Sequence, residues 1–288
     1  MTLPPFALHR PATLEEAAEV IEEHGDDAAL YCGGTELLLL LKLGFASFGH
    51  LVDLKGIDEL RGLGLDDGAL VIGAATTHRE LERSALVHAR LPALATMERG
   101  VANVRVRTAG TLGGNLCFSD PHSDPATFLL ALGAEVECRR GGGCPRRLPV
   151  AEFVVGPYQT ALEAGEVLTA VRVPVPPAST AIVHEKFAFH ERPAATVTCL
   201  VRVEGGRVAE ARIAVGSVGV RPVRANEAER LLVGLDAAGP GAAALGEAGA
   251  AAAEAAAAVE DANGSVDYKA NLVAVLVRRA LERALAPA

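Results

Sequence analysis

Residues Thr108-Ala-Gly-Thr-Leu-Gly-Gly-Asn115, continuing Leu-Cys-Phe-Ser-Asp-Pro-His-Ser-Asp124, set three glycines among hydroxyl, amide and carboxylate side chains. Glycine permits positive φ and removes the Cβ, so main-chain N–H groups can close on a bulky anion. Thr111 and Asn115 add side-chain hydrogen bonds for phosphate oxygens. Asp124 could accept from ribose hydroxyls, as an acidic residue does in other dinucleotide sites. Taken alone, the cluster reads equally as a tight turn leading into a helix. A second stretch, Cys32-Gly33-Gly34-Thr35-Glu36, precedes an unbroken leucine run from Leu37 to Leu41 and then Lys42. A diglycine and a threonine just before an apolar segment again suit anion binding at a helix N-terminus. Neither stretch is a P-loop, because no Gly-Lys-Ser/Thr follows, and neither is the G-x-G-x-x-G fingerprint. Two such stretches about 80 residues apart suggest that both grip one large diphosphate-containing ligand.

The elements that must position them can be read along the chain. Pro11-Ala-Thr13-Leu-Glu-Glu16 predicts a capping box, with Glu16 returning to the Thr13 N–H, and a helix burying Leu14, Ala17, Ala18 and Ile21 up to His24-Gly25. Residues 28–32 form a short strand that delivers the first glycine stretch, and residues 37–42 a helix stopped by Gly44. Residues 50–54 read as a strand. Asp66-Asp67-Gly68 is a hairpin turn before a strand at 69–73. Thr77-His-Arg-Glu80 is a second capping box, and a further helix spans 91–100. Residues 101–108 alternate apolar and polar, as a strand does, into the second stretch. Residues 125–132 form a helix with Asp124 as its N-cap. Strands follow at 135–139, 147–150 and 166–173, ending at the proline cluster 174–177, which marks a domain boundary. Beyond it come strands at 183–190, 196–203 and 208–216, the last two joined by Gly205-Gly206. Helices take over at 225–235, within the alanine-rich 237–262, and at 267–285. Strands before helices give an α+β domain.

Composition excludes several classes. Half of the 288 residues are hydrophobic, yet no apolar run approaches the ~20 residues needed to span a membrane. The amino terminus shows no basic region followed by an apolar one, so a cytoplasmic chain is expected. A net charge of −9, no tryptophan and 4% aromatics argue against nucleic acid, which needs a basic footprint or a stacking platform. Five scattered cysteines without a C-x-x-C read as free thiols and support neither a zinc nor an iron–sulfur site.

Gly33-Gly34-Thr35-Glu36 with its leucine run, and Thr111-Leu-Gly-Gly-Asn115 with Asp120-Pro121 and Asp124, resemble the two FAD loops of the medium subunit of molybdenum hydroxylases. The resemblance covers nearly the whole chain, from Pro5-Phe6 through Gly73-Ala-Ala-Thr-Thr-His78 to Glu185-Lys186-Phe187. It implies an α+β (mixed α/β) fold of the vanillyl-alcohol-oxidase type: an FAD-binding subdomain over 1–55, a second over 56–176, and a carboxy-terminal α+β domain over 177–288. It implies non-covalent FAD held by Cys32, Gly33, Gly34, Thr35, Glu36, Thr111, Leu112, Gly113, Gly114, Asn115 and Asp124. Leu168 and Lys186 would stand near the isoalloxazine, and no residue is assigned a catalytic or metal-binding role. It further implies partners: a small subunit with two [2Fe–2S] clusters and a large molybdopterin subunit that hydroxylates the substrate, assembled as a dimer of heterotrimers. In that arrangement this chain passes electrons to an acceptor. Two other classes stay open, a self-contained flavoprotein oxidoreductase and a scaffolding subunit without cofactor. The shortage of Tyr, His and Trp speaks against the first, and the intact glycine stretches against the second.

Overall fold

In the computed structural model, which describes residues 2–286, the first strands are parallel. They are β1 (Ala7–His9), β2 (Ala28–Tyr31) and β3 (His50–Asp53), linked through helices α1 (Leu14–His24) and α2 (Leu37–Leu43) and ordered β1-β3-β2. Parallel neighbours need such crossovers. Thr13 caps α1 by accepting from the Glu16 N–H, but the Glu16 carboxylate takes the N–H of Ala12 at 2.7 Å, not that of Thr13 as expected. Leu14 and Ala17 pack with Val52, Leu54, Ile57 and Leu60 into a small core. Gly44, at φ 76°, terminates α2.

The middle of the chain opens with a hairpin, β4 (Leu63–Asp66) and β5 (Ala69–Gly73). Six helices follow: α3 (His78–Arg83), α4 (Ala85–Arg90), α5 (Pro92–Arg99), α6 (Val104–Ala109), α7 (Leu112–Phe118) and α8 (Asp124–Leu132). Then come β6 (Glu135–Arg139), β7 (Arg146–Pro149), a one-turn α9 (Val150–Phe153), the small hairpin β8 (Val154–Gly156) and β9 (Gln159–Thr160), and β10 (Val167–Pro174). The sheet is antiparallel, in the order β4-β5-β10-β6-β7. Two expectations fail here. Residues 104–109 are helical despite their alternation, because the Asn103 carboxamide caps the N–H groups of Arg105 and Val106, and Arg107 is anchored to Glu82 at 3.0 Å. Asp124 is the first residue of α8 and not its cap; Ser123 holds that position, but its side chain does not cap the helix.

The last strands, β11 (Thr180–Phe187), β12 (Ala195–Glu204), β13 (Arg207–Gly216) and β14 (Val223–Arg224), form an antiparallel sheet. Its helices are α10 (Asn226–Leu232), α11 (Ala242–Ala255) and α12 (Val266–Ala284). β11 ends at Phe187, earlier than its sequence suggests, and residues 188–194 leave the sheet. Gly205 and Gly206, at φ 57° and 77°, make the two-residue β12–β13 turn. One face of this sheet packs on α10, α11 and α12. Leu200 and Ala214 join the core of the middle sheet, where α8 lies. All nine residues of α8, Asp124 and Thr127 among them, are buried, so it presents no face to solvent.

Close packing there can be tested. A Cβ on Gly216 would overlap Thr127 Oγ1, which pairs with Thr196 Oγ1 at 3.0 Å. Gly216→Ala is expected to cost about 1–3 kcal/mol, read as a lower midpoint in denaturant unfolding; an unchanged midpoint would mean that α8 and β13 are less tightly apposed.

Candidate functional site

The two glycine stretches touch. A Cβ on Gly33 would run into the Ala109 carbonyl and lie 2.7 Å from Gly110 Cα, so only glycine allows the approach. Gly34 is at φ +69°, where an L side chain is strained. Together they border a cleft of about 330 Å³, within the range of small-molecule sites. Its walls come from all three sheets' surroundings, and include Leu54, Leu60, Val101, Asp124, Leu168 and Arg192.

The two stretches contribute differently. Among the described residues, the N–H groups of Gly34, Thr35 and Glu36 donate to no acceptor within the chain. They are the unspent donors of a helix beginning. In the second stretch the expected anion cradle is already used. Leu112 N–H donates to Thr76 O (3.0 Å), Gly113 N–H to Ala74 O (2.9 Å), Gly114 N–H to Thr111 Oγ1 (3.2 Å) and Asn115 N–H to Thr111 O (2.9 Å). Thr111 is thus an N-cap. Gly113 is required because a Cβ would strike the backbone of Ala74 at 2.7 Å. Asn115 Oδ1 accepts from Ser123 Oγ at 2.6 Å.

Of the residues expected at the site, Cys32, Gly33, Gly34, Thr35, Glu36, Thr111, Gly113, Gly114, Asn115, Asp124 and Leu168 all border the cleft, whereas Leu112 and Lys186 do not. Leu112 is fully buried behind it. Lys186 reaches from β11 to the cleft's edge, where its Nζ donates to Asp124 Oδ2 at 2.8 Å and to Gly100 O at 3.0 Å. Asp124 is buried, and its Oδ1 has no hydrogen-bond partner; His184 Nε2, 3.5 Å away, is likewise unpartnered. A free buried acceptor on a cleft wall fits a ligand that brings its own donor. Asp124 and Lys186, expected at different parts of the cofactor, here form one pair at the cleft's edge.

Three partnerships were not legible beforehand. Arg192, in the segment leaving β11, bridges Glu36 at 2.9 Å and Asp120 at 2.5 Å, tying the third sheet to both glycine stretches. His78 borders the cleft and its Nδ1 pairs with the fully buried Glu98 at 2.7 Å. His122 sits between Asp120, 3.5 Å away, and Asp261, 3.1 Å away, across the boundary to the last helices. The partners are 72, 20 and 139 residues apart, so no local pattern signals them. All five cysteines are free; burial pushes the Cys117 thiol up to about 12 and raises Cys32 as well, so neither is a thiolate near neutrality.

Two family models match the sequence: FAD binding domain in molybdopterin dehydrogenase over residues 4–176, and CO dehydrogenase flavoprotein C-terminal domain over residues 190–284. The carbon monoxide dehydrogenase medium chain of Afipia carboxidovorans is 34% identical, covering 98% of both chains. That of Hydrogenophaga pseudoflava is 36% identical over 99% of both. A solved structure of reconstituted CO dehydrogenase from Oligotropha carboxidovorans superposes with a TM-score of 0.94 at 33% identity, covering 100% of both chains.

Removing the Lys186 ammonium would strand a buried carboxylate. Lys186→Met is expected to destabilise the fold by about 3 kcal/mol, and adding Asp124→Asn should recover most of the loss in a double-mutant cycle. Additive losses would show that the two are not coupled. His122 gives a pH dependence: its hydrogen bond to Asp120, reinforced by Asp261 and opposed by burial, raises its pKa above 6.5. A raised folded-state pKa contributes stability that is complete below the unfolded value of 6.5 and lost as pH rises through the folded value. As pH rises above 6.5, stability should therefore fall more in the wild type than in His122→Asn, measured by thermal unfolding across pH.

Proposed function

Because the chain belongs to the family of FAD-binding medium subunits of molybdenum hydroxylases, we propose that it takes electrons from the [2Fe–2S] clusters of a small partner subunit and delivers them through FAD to a terminal acceptor. The observation that carries this reading is the junction of the two glycine stretches. Unspent amides of Gly34, Thr35 and Glu36 stand at an apolar cleft, in a chain with no cysteine set for a cluster of its own.

FAD, when bound, supplies the coupling between one-electron donors and a two-electron acceptor. The chain's residues do the rest. The free amides of the first stretch, with the Thr111 cap beside them, are the donors suited to the diphosphate. Asp124, its charge matched by Lys186, suits the hydroxyl- and N–H-bearing part of the cofactor rather than the phosphates. Leu168, Leu54 and Val101 keep water from the apolar wall. In this reading residues 1–55 and 56–176 clamp the cofactor, 177–288 cover it, and a large molybdopterin subunit carries out substrate oxidation in a dimer of heterotrimers.

The test is an absorption spectrum of the purified chain before and after FAD addition, with acid release, repeated for Gly33→Ala. One acid-releasable FAD per chain is expected, held at least about tenfold more weakly in the variant, with reduction only when the cluster-bearing partner is present. A chain that stays colourless in its assembled complex, or that alone oxidises small organic substrates, would overturn the proposal.

A further inference from the structure

At the end of the first sheet away from the glycine stretch, three imidazoles converge. His9 ends β1, His50 opens β3 and His24 closes α1. His9 Nε2 lies 2.9 Å from His50 Nδ1, and the rings of His24 and His50 stack with centroids 3.5 Å apart and 16° between their planes. One ring nitrogen from each of the three falls within 4.8 Å of the others, and all three side chains are half-buried, neither sealed off nor freely mobile. We propose that His9, His24 and His50 bind one divalent transition-metal ion of the zinc class.

The chemistry favours such an ion. Neutral imidazole is a ligand of intermediate softness that suits zinc and its neighbours and not magnesium or calcium. Tetrahedral zinc with nitrogens at ~2.0–2.1 Å holds them roughly 3.4 Å apart, close to the spacing the three ring nitrogens already have. The backbone beneath it is fixed: Ala7 N–H donates to Gly49 O at 2.8 Å, and Gly49 N–H to Asp27 Oδ1 at 2.7 Å. That bond occupies Asp27. Glu23, 3.9 Å from His24 Nε2 and largely exposed, is the nearby carboxylate free to complete the shell, with water as the alternative. An ion here would cross-link β1, β3 and α1, the elements around the small core from Leu14 to Leu60. From Ala28, paired with His50, the chain runs four residues to Cys32, roughly 13 Å along the strand. The ion would therefore brace the sheet that carries the first glycine stretch without touching the cofactor cleft.

Titration of the untagged, FAD-loaded chain with Co²⁺, the spectroscopic surrogate for Zn²⁺, tests this. One equivalent should bind with the visible d–d bands of a tetrahedral nitrogen site and be displaced by Zn²⁺. His50→Gln and His24→Gln should each lower the affinity at least about tenfold while FAD content stays unchanged; His24 lies at a helix end, so that variant serves if His50→Gln misfolds. Zn²⁺ should raise the Tm of the wild type and not of the variants. No stoichiometric Co²⁺ uptake, or uptake that neither substitution weakens, overturns the proposal.

Discussion

Helix α8 has no face for water. Its nine residues sit between the middle sheet and the carboxy-terminal sheet, and the cores on either side share its neighbours. Because interiors are close-packed, a helix so enclosed fixes the distance between the sheets. It also fixes where its own first residue stands. Asp124 is carried to the cleft wall by packing several ångströms behind it, and its charge is then met by Lys186 from the opposite sheet. The third sheet is thereby bound to the cofactor-binding half by both apolar burial and a buried charge pair.

The same arrangement explains how the two glycine stretches divide their work. In the second, glycine is needed so that helix α7 can press against Ala74, and the amides of its first turn are spent on Ala74, Thr76 and the capping Thr111. In the first, glycine lets the backbone meet Ala109 and turn through positive φ, and the amides stay unspent. Similar sequence patterns thus supply a buttress on one side and a donor array on the other.

What could be read in advance followed local rules. Capping threonines, the Gly44 stop, the hairpin glycines and the strand patterns of the second and third sheets were all visible because neighbours in sequence set them. The resemblance of the paired glycine stretches gave the family and its cofactor. Residues 104–109 misled because a cap at Asn103 outweighed an alternation of only a few residues. Asp124 was misplaced as a cap because its partner lies 62 residues away, on a strand. Arg192 and the His78–Glu98 pair were invisible for the same reason: they exist only once the chain has folded back on itself.

The Arg192 bridge is also open to salt. It spans Glu36 and Asp120 from a segment outside any strand, and all three residues border the cleft. Two ion pairs, with Arg192 itself half exposed, thus join three residues of the cleft's wall across elements far apart in the sequence. Such pairs are weakened by salt. Ionic strength then acts on this bridge across the cleft wall, separately from the amides of the first glycine stretch.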